Sequence, residues 1–187
     1  MPTEPLETIL YRERSKFDGQ EVIDISCAVL KEVVNYSTNV FARCATSTSG
    51  EEENIPVPLL YLHMFEMTDG IEVLLSKSCA VPAKPLLRSS FEALLSIEYI
   101  LAEKYALRAL SWLAFFMRRR LALYKSYDSS TNEGKHLHRL LSVDKIVGDV
   151  KLEYPPEFND FILNYEERLA SPKFEPVRDE IERYRQE

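Results

Sequence analysis

A long stretch without helix-breaking residues is the feature that most limits how this chain folds. From Leu86 to Asp128 the sequence has neither glycine nor proline, and the chain of 187 residues has five glycines. Sheet proteins with many tight turns use glycine in those turns, so this scarcity favours long helices joined by few loops. One helix over the whole stretch would be unusual in a globular domain, so we predict a break near Glu103–Lys104–Tyr105. The sequence therefore predicts an all-α protein.

Apolar residues recur at three- and four-residue steps, the spacing of one helix face, along most of the chain. The first such helix runs from about Glu21 to Arg43. We predict that its stripe faces the core, widened by a second apolar set; the stripe consists of Val22, Ile25, Val29, Val33, Tyr36 and Val40. A second helix follows Pro58, a third begins at Pro82 or Pro85, and a fourth covers Ala106 to Tyr127. The short VPAKP connection makes the second and third helices antiparallel neighbours.

We expect residues 1–187 to form a single all-helical domain, folded as an antiparallel bundle. Residues 1–18 are predicted as an N-terminal arm or short helix, and ATSTSGEEENIPVP as a surface loop. A weaker helical pattern covers Leu137 to Val147. Residues 150–187 are predicted as charged C-terminal helices, divided at SPKFEP.

Composition excludes several classes of protein. The net charge of −7 argues against broad, non-specific binding to nucleic acid. Cys27, Cys44 and Cys79 form no CxxC pair, so the sequence indicates neither a zinc knuckle nor a disulfide framework. The charged N-terminus does not resemble a signal peptide, and no run of apolar residues is long enough for a membrane span. We therefore expect a cytoplasmic protein with no cofactor, no metal and no membrane association.

Arg88 and Glu92 are the first candidates for a functional site. They lie four residues apart on a helix that is otherwise strongly apolar, so their side chains are neighbours. They could form a buried or half-buried ion pair that fixes how this helix meets its neighbours. Alternatively, the Arg88 guanidinium binds a phosphate or carboxylate while Glu92 orients it.

The three histidines are the other candidates for acid–base chemistry. His136 and His138 lie close to a loop in GKHLHRL, where both are candidate catalytic residues or exposed residues at a helix start. His63 and Glu66 share a helical face, which permits a metal site or a hydrogen-bonded surface histidine. A helical-bundle metal site would need a second copy of that pair, which the sequence lacks.

Three consecutive arginines follow an aromatic run in FFMRRRLALYK. Adjacent helix positions differ by about 100° in direction, so Arg118, Arg119 and Arg120 cannot all face one ligand. The arrangement is typical of a solvated face, and contact with an RNA backbone is the alternative. Signatures of phosphate loops, serine hydrolases and zinc proteases, namely a Gly-rich loop, GxSxG and HExxH, are missing from the sequence.

The block from Phe65 to Glu103 resembles a large bacterial family of unknown function. The resemblance is carried by a helix that reads roughly Leu-Leu-Arg-Ser-x-Phe-Glu-Ala, here Leu87, Arg88, Ser89, Phe91 and Glu92. That family looks related to the helical HEPN superfamily, which includes RNA-cleaving toxins and abortive-infection proteins. The resemblance implies a HEPN-like helical bundle.

Two departures affect what the resemblance implies about activity. Ribonucleases of the HEPN superfamily have an arginine four to six residues before a histidine, and none of the three histidines here has one. Related proteins also continue into a helix with a serine and a histidine, which is not found before Glu187. We therefore expect this chain to be a short or truncated member.

Two functions follow as expectations. The first is an interaction or regulatory module of a bacterial defence or toxin–antitoxin-type system, which forms a homodimer or binds a protein partner through a helix face. The second is a metal-independent HEPN-like ribonuclease, in which Arg88 stabilises phosphate charge and a histidine transfers protons. A small anion-binding bundle centred on Arg88 is a third hypothesis.

Overall fold

The computed structural model describes residues 19–47, 50–143, 155 and 157–178, and the described elements are all helical. The six α-helices are α1 (Gln20–Ser47), α2 (Pro56–Ser76), α3 (Ala80–Ala102), α4 (Tyr105–Tyr127), α5 (Asn132–Val143) and α6 (Glu157–Ala170). Two short 3₁₀ helices cover Glu52–Asn54 and Pro172–Phe174. The all-α prediction is confirmed for these residues. The predicted arm at residues 1–18 and the end of the helix predicted to Val147 lie outside them.

The predicted break between the third and fourth helices is confirmed. α3 ends at Ala102, and Lys104 adopts a left-handed backbone conformation with φ of 47° before α4 begins at Tyr105. A left-handed residue cannot continue a right-handed helix, so α3 and α4 are separate helices. The chain divides into two compact units at this point, residues 1–103 and 104–187. The expectation of one domain over residues 1–187 stays a prediction.

In the first unit, α2 packs against both α1 and α3. Contacts between α1 and α2 join early residues of one helix to late residues of the other, so the pair runs antiparallel. Cys27 lies near the backbone of Glu72, and the Phe41 and Phe65 rings meet edge to face at 5.9 Å. Lys31 Nζ lies 3.4 Å from Oε1 of the buried Glu72, close enough for an ion pair but without hydrogen-bond geometry.

The predicted core stripe of α1 is wrong in part. Five of its six members are exposed, namely Val22, Ile25, Val29, Val33 and Tyr36. The second apolar set on this helix makes the contacts with α2 instead, as the burial of Cys27 and the ring contact of Phe41 show. Both sets have helical spacing, and only the position of α2 selects which one is covered.

In the second unit, α4 packs against α5 and α6. The side of α4 that is buried carries Ala109, Leu110, Leu113, Ala114, Met117 and Leu121. Tyr124 lies against the aromatic residues of α6, with ring centroids 4.7 Å from Phe158 and 6.2 Å from Tyr165. Lys125 Nζ donates a hydrogen bond of 2.6 Å to Glu166. The chain after α6 breaks at Ser171, within the predicted SPKFEP division, and buries Phe174 and Val177.

Candidate functional site

The residues of α3 divide between two sides of the helix. Its inner side carries small or apolar residues, of which Ala83, Ala93 and Ile100 are buried. Gly70 of α2 approaches this side so closely that a Cβ on it would lie 2.9 Å from Cδ1 of Leu86. Small residues on both helices let the backbones approach, which fixes α3 firmly against α2. The residues on the outer side are therefore held in defined positions.

Arg88 and Glu92 lie on the exposed side of α3 and bind each other. Arg88 Nε donates a hydrogen bond of 2.7 Å to Glu92 Oε1, and the side chains are 82% and 59% exposed. This hydrogen bond, and then the carboxylate charge, raise the pKa of Arg88 above its ordinary value. The interpretation of the pair as a buried contact between helices is wrong, because both side chains face solvent. Arg88 is thus accessible to a ligand, with Glu92 fixing its orientation.

A histidine does lie beside this pair, although not one of the two that we had put forward as catalytic candidates. His63 Nε2 of α2 lies 2.9 Å from the hydroxyl oxygen of Ser89, the residue after Arg88. Ser90 follows, and its hydroxyl donates to the carbonyl of Met64 at 3.2 Å. The arrangement places an imidazole, a hydroxyl and a guanidinium on one part of the surface. Such groups can bind an anion or transfer a proton.

The sequence contained a signal for the contact between His63 and Ser89. The connection between α2 and α3 is short, so the two helices are antiparallel and each residue of α2 has a definite neighbour on α3. Counting back equally from Lys77–Cys79 places His63 opposite Ala93, about one helical turn beyond Ser89. Analysis of one helix at a time, by i,i+3 and i,i+4 spacing, does not reveal this pairing.

His136 and His138 lie on α5 in the second unit, whereas Arg88 and Glu92 lie on α3 in the first. His136 is exposed, as expected for a residue near a helix start. The side chain of His138 lies outside the described part of the structure. Their role as catalytic partners of Arg88 stays a prediction.

Two of the three consecutive arginines cover aromatic rings of α4. The guanidinium of Arg119 lies 5.8 Å from the centre of the Phe115 ring, and that of Arg120 lies 5.3 Å from the centre of the Phe116 ring. The arginines therefore point in different directions, as the helix geometry predicted. They border a surface groove of about 460 Å³ whose described lining is Trp112, Phe115, Phe116, Arg119, Arg120 and Leu123.

No metal centre is found among the described residues, since no three histidine, cysteine, aspartate or glutamate side chains lie together. His63 contacts Ser89, which accounts for the histidine of the His63–Glu66 pair without a metal. In the described part of the chain, no helix combines the length and apolarity that crossing a bilayer requires.

The exposed side of α3 carries large apolar residues beside the Arg88–Glu92 pair. Leu87 is 60% exposed and Phe91 is 56% exposed, and Leu94 and Leu95 are also exposed. We call Leu87, Phe91, Leu94 and Leu95 the outer face of α3. Single exposed apolar residues are common on proteins, but a contiguous group marks a surface that binds something.

Comparison with known proteins gives one family. The model of a family of unknown function, DUF5677, matches residues 54–184, which include α2 to α6. No curated protein and no solved structure matches this chain. The matched region contains the outer face of α3, Arg88, Glu92 and His63.

Proposed function

This chain belongs to the DUF5677 family of unknown function, and from that premise we propose that it is a helical interaction module whose binding surface is the outer face of α3. One observation carries the proposal. Leu87 and Phe91, which belong to the motif that we identified in the sequence, are more than half exposed. Leaving such side chains in water forgoes the stabilisation that burial would give, so a partner that covers them gains it.

Arg88 and Glu92 fit this function as the polar border of the binding surface. Arg88 Nε and Glu92 Oε1 lie 2.7 Å apart, so the two charges form an ion pair. Both residues are next to Leu87 and Phe91 in the helix. Interfaces of this kind have an apolar centre and a polar rim, and arginine is enriched in them. The rim supplies direction and specificity, while the apolar centre supplies most of the free energy of binding.

The setting of the proposal comes from the resemblance to the HEPN superfamily. We propose a HEPN-like antiparallel bundle that acts in the cytoplasm of a bacterium, in a defence or toxin–antitoxin-type system. The outer face of α3 offers a surface for a partner in such a system. The partner on this reading is a helix of another protein chain, because an apolar stripe on a helix fits an apolar stripe on a second helix.

Site-specific photo-crosslinking in cells tests the interaction function. A crosslinking residue at position 91 is expected to give a small number of discrete protein products. The same residue at Lys77, an exposed position at the end of α2, is expected to give none. Introducing Leu87→Asp should abolish the products from position 91. Equal crosslinking from positions 77 and 91 would contradict a binding surface on α3.

Metal-independent RNA cleavage is the second candidate, and the contact between His63 and Ser89 beside Arg88 favours it. In that reaction a base removes the proton of a ribose 2′-hydroxyl, whose oxygen attacks the adjacent phosphorus. The bond to the 5′-oxygen breaks, that oxygen receives a proton, and a 2′,3′-cyclic phosphate remains. His63 could transfer the protons, and Arg88 could stabilise the negative charge on the phosphate.

RNA cleavage by the purified chain tests this second candidate. The wild-type protein is compared with Arg88→Ala and His63→Ala, with Lys77→Ala, a change at an exposed position at the end of α2, as the control. Cleavage that both first variants lose and the control retains would establish the ribonuclease. No cleavage by the wild type would leave the interaction module.

A further inference from the structure

One stripe on the exposed side of α3 is nearly symmetric about Phe91. Leu87 and Leu95 lie four residues before and after it, and Lys84 and Glu98 lie seven residues before and after it. Steps of four and seven residues return to nearly the same side of an α-helix, so these five residues form one stripe. All five are exposed. The stripe therefore has the same order of residue types from either end, a charged residue, a leucine and the central phenylalanine, and only the signs of the two terminal charges differ.

Those terminal charges have opposite signs. Lys84 and Glu98 are about 21 Å apart along the helix axis. Within the described part of the chain, neither contacts a group of opposite charge. Two such helices side by side in antiparallel orientation bring Lys84 of each copy to Glu98 of the other. In a parallel pair, like charges would face each other and destabilise the pair.

We infer that α3 binds α3 of a second copy of this chain in an antiparallel, two-fold symmetric pair. The inference rests on the proposed function and names its partner. At the centre of the pair Phe91 meets Phe91 of the second copy, and Leu87 meets Leu95 on each side. A two-fold axis makes one stripe complementary to itself, which is the property of an isologous interface.

The area of this face is sufficient for a dimer. The exposed part of Phe91 is about 100 Å². The exposed apolar residues along the helix include the outer face of α3 together with Val81 and Leu101, which lie ten residues before and after Phe91 and flank the stripe at about 80° on either side. Together they give on the order of 500 Å² per copy, or about 1,000 Å² for the pair, the lower limit for a specific interface. We therefore expect a dissociation constant in the micromolar range.

The symmetry also distinguishes a second copy from another protein as the occupant. A helix from a different protein would need an apolar stripe of matching length, and nothing would relate Lys84 to Glu98. Only self-association makes the two ends of the same helix meet. The mirrored positions of the charges and of Leu87 and Leu95 are thus explained by one contact.

Sedimentation velocity of the full chain between about 1 and 200 µM tests the inference. The wild type is expected to change from monomer to dimer over this range. Lys84→Glu and Glu98→Lys each replace two attractions by two repulsions, so each should weaken dimerisation about tenfold. The double variant Lys84→Glu/Glu98→Lys restores both attractions and should dimerise like the wild type. Lys77→Glu is the control, with the same change of charge at an exposed position outside the stripe.

Mixing the two single variants gives a second readout. In the mixed pair, Lys84→Glu contributes Glu at positions 84 and 98, and Glu98→Lys contributes Lys at both positions. Each of the two contacts therefore joins a Glu to a Lys. The mixture is therefore expected to dimerise more tightly than either variant alone. High salt should reduce the differences among all these proteins, because exposed charges are screened.

A wild-type protein that stays monomeric at 200 µM would overturn the inference, and so would a double variant no tighter than the single variants. Dimers that survive Phe91→Asp would also overturn it, since they would form elsewhere. These outcomes are distinct from failure of the proposed function. If position 91 still crosslinks to another protein while the wild type is monomeric, the interaction module stands and only the second copy is wrong.

Discussion

Replacing Phe174 with alanine tests whether the turn after α6 belongs to the folded second unit. Phe174 is 1% exposed, although it lies in a three-residue 3₁₀ helix near the end of the described chain. Removing the ring deletes about 150 Å² of buried apolar surface, or about 4 kcal/mol at 25 cal/mol per Å². Core Phe→Ala substitutions cost about 3–5 kcal/mol, in agreement with this value. At about 0.1 kcal/mol per residue, a unit of this length has a stability near 8 kcal/mol, so the loss is roughly half.

The single tryptophan makes the measurement specific to this unit. Trp112 lies on α4, so its fluorescence during urea unfolding reports on the unit that contains Phe174. With a slope near 1.5 kcal/mol per molar urea, Phe174→Ala should lower the midpoint by about 2–3 M. The control is Phe161→Ala in α6, a residue that is 47% exposed, so the expected shift is about half as large. Equal shifts for the two variants would refute the assignment of Phe174 to the core.

Three further predictions concern backbone packing, the exposed ion pair and tyrosine ionisation. Gly134→Ala should destabilise the turn before α5 by about 2 kcal/mol, because a Cβ there overlaps a backbone carbonyl. Gly50→Ala, where a Cβ meets no described atom within 4 Å, should change stability by less than about 0.5 kcal/mol in urea unfolding followed by circular dichroism, which also reports on the first unit. Arg88→Ala should leave the thermal midpoint in circular dichroism unchanged, because solvent screens an exposed pair. Burial, and to a lesser extent a neighbouring tyrosine, raises the pKa of Tyr165. The neutral form of Tyr165 therefore stabilises the fold fully below about pH 10, the ordinary pKa of tyrosine. This stabilisation is lost as the pH rises through the folded-state pKa. Tyr165→Phe, which cannot ionise, should not show that loss of stability at alkaline pH.

Each of these results has an outcome that contradicts its reasoning. A stable Gly134→Ala protein would mean that the chain before α5 moves aside at little cost. A lower midpoint for Arg88→Ala at low protein concentration would mean that the pair supports the fold, which would complicate any loss of activity in that variant. A Tyr165→Phe protein that loses stability at alkaline pH as the wild type does would assign the effect to another group.

The exposed pair on an apolar helix has a physical explanation in the proposed surface. A helix with Leu87, Phe91, Leu94 and Leu95 on its outer side would associate without selectivity if nothing polar bordered it. The Arg88–Glu92 pair is a polar group of fixed position beside these apolar residues. Its two charges already bind each other, with Arg88 Nε 2.7 Å from Glu92 Oε1. The charges that remain for a partner are then those at the ends of the stripe.

Local sequence predicted that the residues of the candidate site are neighbours, but it did not predict that they are exposed. The i,i+4 spacing of Arg88 and Glu92 predicted that they are neighbours, and they are. Of the two interpretations of the pair, the buried ion pair is wrong, because burial depends on what another segment places against the helix and both side chains are exposed. The contact of His63 with Ser89 depends on the register of two helices, and no property of either residue alone encodes it.

The sequence by itself determined that the described chain is helical and that it breaks before Tyr105. It did not determine every helix start, since α3 begins at Ala80 and includes the VPAKP segment predicted as a connection, and α5 begins at Asn132, before the predicted Leu137. The absence of glycine and proline from Leu86 to Asp128, the break before Tyr105 and the short connection after α2 depend on local backbone preferences, which act within a few residues. The tertiary structure alone decided which apolar face is covered. α1 has two apolar sets with helical spacing, and the position of α2 buries the one with Cys27 and leaves the one with Val29 exposed. Helical periodicity specifies that a face exists, whereas burial depends on what another segment places against it.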